Sequence, residues 1–125
     1  MNVVDSSGWL EYFADSQNAS FFTPAIENST DLIVPSIIIY EVFKRVLQQQ
    51  GQADALQALA FMQQGTVVDL DIPIALNAAK ISATHQLSMA DSIILATSRA
   101  YAATLWTQDK HLKDFTDARY KEKFK

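Results

Sequence analysis

The sequence predicts an α/β fold, with a central parallel β-sheet of four to five short strands flanked by helices, in one domain over residues 1–125. Three observations predict it. Short apolar, β-branched runs alternate with longer stretches of helical periodicity. No hairpin turn signal joins consecutive strands, so each must return to the sheet by a crossover. The 125 residues, 49% of them apolar, form one core of ordinary size, with no internal repeat and no low-complexity linker.

Val3-Val4 forms the first strand and ends at Asp5-Ser6-Ser7-Gly8, after which Trp9–Phe13 reads as a short helix. Thr23-Pro24 opens another short helix, because proline suits a first helical turn. Asp31–Val34 is a buried-type strand closed by Pro35. Ser36 caps the following helix, which carries Ile39, Val42, Phe43, Val46 and Leu47 at helical spacing. Gly51 and Gly65 bound a helix over 52–64, and Thr66–Asp69 is a third strand. Asp71-Ile72-Pro73 starts a helix running to about Gln86, with Asp71 as its cap. Ser88 starts the next helix, which runs to about Ala103, and Thr104–Thr107 is a fourth strand.

Composition removes several chemistries. Without cysteine there is no disulfide framework, thiolate zinc site or Cys nucleophile. His85 and His111 are too far apart in sequence for a paired-histidine metal helix, and Gly8, Gly51 and Gly65 are too scattered for a phosphate-binding loop. No apolar run has membrane-spanning length, and the first residues lack signal-peptide character, so a cytoplasmic protein is expected. The net charge of −4 argues against a broad basic surface. The charge is uneven, however. Residues 1–108 hold four basic against ten acidic side chains, while 109–125 hold six basic against four acidic. This Lys-rich ending reads either as a solvated, frayed terminus or as a basic lip beside an acidic centre, suited to a phosphate polymer.

Four acids are expected to meet. In a parallel sheet the carboxyl ends of the strands share an edge with the N-termini of the helices that follow, and ligands bind there. Asp5 ends the first strand, and Asp109 lies two residues past the fourth. Glu41 falls in the second turn of the helix after the second strand. Asp91 is in the first turn of the helix that runs back to the fourth strand. Like charges about 4 Å apart repel by roughly 4 kcal/mol at an effective dielectric of 20, which a bound dication removes. Oxygen-only ligands favour magnesium or manganese over zinc, and the reaction class that follows is metal-assisted phosphodiester hydrolysis by activated water.

Each acid also has a simpler role. Asp5 can cap a helix, Glu41 can pair with Lys44 or Arg45, and Asp91 fits a capping box with Ser88. Asp109 alone is an ordinary loop residue. These roles do not account for four acids brought to one edge by independent segments. His85 reads as a structural helix-end residue, His111 as a loop residue able to help hold RNA, and Trp106 as core. Ser6 and Ser7 lack a nucleophile elbow and a His partner, so their place is to support a water or phosphate.

Val3–Ser7, Tyr40-Glu41-Val42, Met89–Thr97 and Leu105–Asp109 together resemble the PIN-domain ribonucleases, in particular the VapC toxins of bacterial toxin–antitoxin pairs. The resemblance covers essentially the whole chain, and Ala90-Asp91-Ser92-Ile93-Ile94-Leu95-Ala96-Thr97 is its most specific piece. It implies Asp5, Glu41 and Asp91 as core metal ligands, Asp109 as a fourth and more variable acid, and Ser7 and Thr107 as supporting residues. It also implies RNA cleavage with Mg2+ or Mn2+, a homodimer and a cognate antitoxin partner. Lys110-His111-Leu112 and the Lys-rich ending depart from the family pattern and leave substrate choice open. Two rival readings stand beside it. One is a catalytically silent module whose acidic pocket binds a partner's arginine. The other is a phosphoacceptor domain, which lacks here the adjacent acids and the separate lysine that design uses.

Overall fold

The computed structural model describes residues 1–124. The elements run β1 (Asn2–Val4), α1 (Ser6–Ala14), α2 (Ala19–Ile26), β2 (Leu32–Pro35), α3 (Ser36–Gln50), α4 (Gln52–Met62), β3 (Thr66–Val68), α5 (Ile72–His85), α6 (Met89–Ala100), β4 (Thr104–Thr107) and β5 (Ala118–Tyr120). Single 3₁₀ turns occupy Ser29–Asp31 and Lys110–Leu112. The five strands form one sheet in the order β3-β2-β1-β4-β5, and every pairing is parallel. Successive strands step outward from β1 to β3, then the chain crosses to β4 on the other side of β1. The order therefore reverses between β1 and β4, the point where open parallel sheets bind ligands.

The core fills both faces of this sheet. Val3, Val4, Ile33, Val34 and Leu105 are each at most 2% exposed, as expected of short strands covered on two sides. In α6 every residue from Ser92 to Ser98 is buried. Its polar members are tolerated there because each hydroxyl bonds back to a carbonyl one turn earlier: Ser92 to Ser88, Thr97 to Ile93 and Ser98 to Ile94, at 2.7–2.9 Å. Gly8 lets α2 close on α1, since a Cβ there would stand 2.6 Å from the Phe22 ring and 2.7 Å from Val4 Cγ1. Among the described residues no helix is long and apolar enough to cross a membrane.

Four local expectations are corrected. The helix around Pro24 begins at Ala19, so proline sits inside it rather than opening it. Burial of Ala19, Phe22, Ala25 and Ile26 sets that register and outweighs the lost amide donor. Ser36 is the first residue of α3 and makes no cap. Pro35 holds the N-cap position and also pairs with Val68 in the sheet. The helix from Ser88 stops at Ala100, and β3 stops at Val68. Finally, the Lys-rich ending is not wholly frayed: Ala118–Tyr120 adds β5 beside β4, and Arg119 lies over the Trp106 ring at 4.6 Å. Lys125, the last basic residue of that segment, lies outside the described residues.

Candidate metal centre

Asp5 leaves β1 at the point where the strand order reverses, and it is 4% exposed. One carboxylate oxygen accepts the Ser6 amide at 2.7 Å, capping α1. The other accepts the Thr107 hydroxyl at 2.8 Å. Thr107 in turn accepts the Asp109 amide at 2.9 Å, so one hydroxyl ties the ends of β1 and β4 together. Asp109 then begins a 3₁₀ turn, and its Oδ1 accepts the His111 amide at 2.9 Å and lies 3.1 Å from His111 Nδ1.

Asp91 stands in the first turn of α6. The Ser88 hydroxyl accepts the Asp91 amide at 3.2 Å, which satisfies the helix start and leaves the carboxylate for the cavity beyond it. Glu41 projects from the second turn of α3 into the same space. It makes no ion pair with Lys44 or Arg45; among the described residues the ion pairs are Arg99–Asp117 and Asp109–His111. Instead Glu41 Oε1 is buried without a hydrogen-bond partner among the described residues, and so is Ser7 Oγ.

All four acids line one cavity of about 660 Å³, together with Ser6 and Ser7. Lys110, His111, Tyr120 and Lys123 also contribute to its wall. Within it, Asp91, Asp109 and His111 form the tightest group, with one ligand atom from each lying within 4.8 Å of the others. Asp5 and Glu41 are not part of that group; they line the cavity from the β1 and α3 sides. His111 is the member sequence reasoning undervalued. Its signal was its place two residues after Asp109, where a short turn folds the imidazole back onto the carboxylate.

The electrostatics are those of crowded acids. Burial pushes the Asp5 carboxyl up despite the Thr107 and Ser6 hydrogen bonds that pull it down, and Asp109 adds repulsion. Burial and the Asp5 charge push Glu41 up, partly offset by the Ser6 hydroxyl. Asp91 is raised to about 7, first by burial, then by the charges of Asp109 and Asp5 and by a shared hydrogen bond with Asp109. Hard oxygen donors, an imidazole and an unpartnered buried carboxylate oxygen are a set that a divalent cation fits, and a dication would relieve this repulsion.

A second polar network was not anticipated from sequence. Asn18, 2% exposed, donates to Gln108 Oε1 at 2.9 Å and to the Glu122 carbonyl at 3.0 Å, and Gln108 donates to Glu11 at 3.3 Å. It fastens the segment after β5 beside the cavity.

The family model of the PIN domain matches residues 3–118. No curated protein matches the chain. Among solved structures, a toxin–antitoxin complex from Klebsiella pneumoniae superposes with a TM-score of 0.79 at 17% identity, covering 95% of this chain and 96% of that one. The DNA-bound VapBC of Salmonella typhimurium gives 0.77 at 14% identity, covering 98% of each chain. Mycobacterium tuberculosis VapC20, a toxin that cleaves the Sarcin-Ricin loop, gives 0.77 at 16% identity, covering 95% of this chain and 99% of that one. With the parallel sheet, its strand order and a family match over nearly the full length, the chain belongs to the PIN-domain family.

Proposed function

We propose that this chain, as one PIN domain over residues 1–125, is a metal-dependent endoribonuclease and the toxin of a toxin–antitoxin pair. The observation that carries the proposal is the meeting of four carboxylates, from the ends of β1 and β4 and the first turns of α3 and α6, in one cavity with three of them raised. Asp5, Glu41, Asp91 and Asp109 are the residues that would hold Mg2+ or Mn2+, and His111 orients Asp109. Such a cation, when bound, supplies an acidified water and polarises a phosphodiester for hydrolysis. Thr107 fixes the Asp5 carboxylate through its hydroxyl, and Ser7 offers a buried hydroxyl to a water or phosphate oxygen.

RNA as substrate is supported by the cleavage named for the Mycobacterium tuberculosis neighbour, and an antitoxin partner by the complexes from Klebsiella pneumoniae and Salmonella typhimurium. The protein acts in the cytoplasm as a homodimer. The exposed apolar side chains Leu70, Ile72, Leu76 and Met89 support an interface, with Ile72 and Met89 75% and 73% exposed.

Asp5→Asn tests the reading. Asparagine keeps an acceptor for the Ser6 amide and nearly the same volume, so the circular-dichroism spectrum and melting point hold while RNA cleavage in Mg2+ is lost. Purified Asp5→Asn protein cutting RNA at the wild-type rate would overturn it. A wild-type chain that takes up no Mn2+ by calorimetry yet binds an arginine peptide would instead be a silent partner-binding module.

A further inference from the structure

A second cavity, of about 580 Å³, lies between α1, α3 and α4, within the range of small-ligand sites. It shares Ser7, Gln108 and Lys123 with the acidic cavity, so the two form one continuous groove. Its wall is rich in amides: Gln49 from α3 and Gln57 from α4 join Gln108, and each can both donate and accept. Partly buried Phe61 supplies an apolar surface. Cations stand at two places, Lys123 where the cavities join and Arg45 on α3, and neither has an ion-pair partner among the described residues. Glu11 is engaged by Gln108.

We propose that this second cavity is a nucleotide subsite for single-stranded RNA, taking the residue next to the scissile bond. This rests on the ribonuclease reading of the acidic cavity. Lys123 neutralises the backbone as it leaves the acids, and Arg45 takes the next phosphate. The glutamine amides meet base edges, and the Phe61 ring gives a base an apolar surface. A polar, amide-lined cleft bounded by cations and open to a phosphodiester-cleaving centre favours a nucleic acid strand over a peptide helix, which would need an apolar floor.

The test measures binding by anisotropy, using a fluorescein-labelled eight-nucleotide random RNA and the full chain carrying Asp5→Asn, in Mg2+. Adding Arg45→Gln or Lys123→Gln weakens binding by about 3–10-fold and lowers the salt dependence by about 0.7 in log–log slope for each phosphate left without its cation. Lys44→Gln on the same helix, whose ammonium lies over the Tyr40 ring, is the charge control and changes neither. Equal effects from Arg45→Gln and Lys44→Gln, or none from either cavity variant, overturn the subsite. Loss of antitoxin binding with an unchanged RNA isotherm also overturns it and assigns the cavity to the protein partner. Mn2+ uptake by the otherwise wild-type Arg45→Gln chain is unchanged, so failure of the subsite is separable from failure of the ribonuclease reading.

Discussion

The Thr107 hydroxyl donates to Asp5 across 2.8 Å, joining residues 102 positions apart at the switch point of the sheet. Because the same oxygen accepts the Asp109 amide, it sets the spacing of two acids that repel each other. Thr107→Val keeps the shape and removes both bonds inside a fully buried site. Leaving these groups unsatisfied costs about 1–3 kcal/mol. The supporting bond around a metal ligand is worth about 10–100-fold in metal affinity or activity. Urea denaturation and Mn2+ titration check the two effects. Thr107→Ser restores the hydroxyl and most of the affinity, which a purely steric role for threonine would not produce.

The raised Asp91 makes the metal-free protein less stable as pH rises. An unfolded Asp releases its proton near 3.8, whereas native Asp91 holds it to about 7. Between these values the native state binds more protons than the unfolded chain, so stability falls with increasing pH across that window and levels off above it. Asp5 and Glu41, also raised, act in the same direction. Because Asp91 is only partly buried, solvent screening reduces its contribution to about 1 kcal/mol, a few degrees in melting temperature. In EDTA, Asp91→Asn therefore melts higher than wild type at pH 8 and close to it at pH 4. Mn2+ reverses the order at pH 8, because wild type gains a ligand-binding term that the variant has lost. Equal melting temperatures for the two proteins in EDTA at pH 8 would count against this account of the site.

The fold was legible because each strand–helix unit carries its own periodicity, and because parallel crossovers leave few topologies. The convergence of Asp5, Glu41, Asp91 and Asp109 on one cavity follows from that topology and needs no side-chain detail. What sequence reasoning missed depends on tertiary context. Pro24 lies inside a helix because Phe22 and Ile26 must be buried, which outweighs the local preference of proline. Ala118–Tyr120 has too few apolar residues to announce a strand, and it becomes one only beside the open edge of β4. His111 and Asn18 gain their roles from partners that a short turn or a distant segment delivers, and neither partner is encoded in local spacing.

Asn18 gives a direct handle on the chain end beside the cavity. Its amide donates to both Gln108 and the Glu122 carbonyl, so Asn18→Ala strips two buried or partly buried acceptors of their donor. The cost in global stability is about 1–3 kcal/mol, and the local effect is larger in kind. Among the described side-chain hydrogen bonds, the one to Glu122 is what fastens residues 121–124 to the body, and losing it frees that segment. Lys121 and Lys123 then become better trypsin sites, because a protease needs an extended, detached strand. Limited proteolysis followed by mass spectrometry should show cleavage there accelerating in Asn18→Ala ahead of any cut in α1–α6. Asn28→Ala, which removes an exposed bond to Asp31, leaves the pattern unchanged. Identical digestion of the Asn18 variant and wild type would mean that pairing of β5 with β4 alone holds the chain end in place.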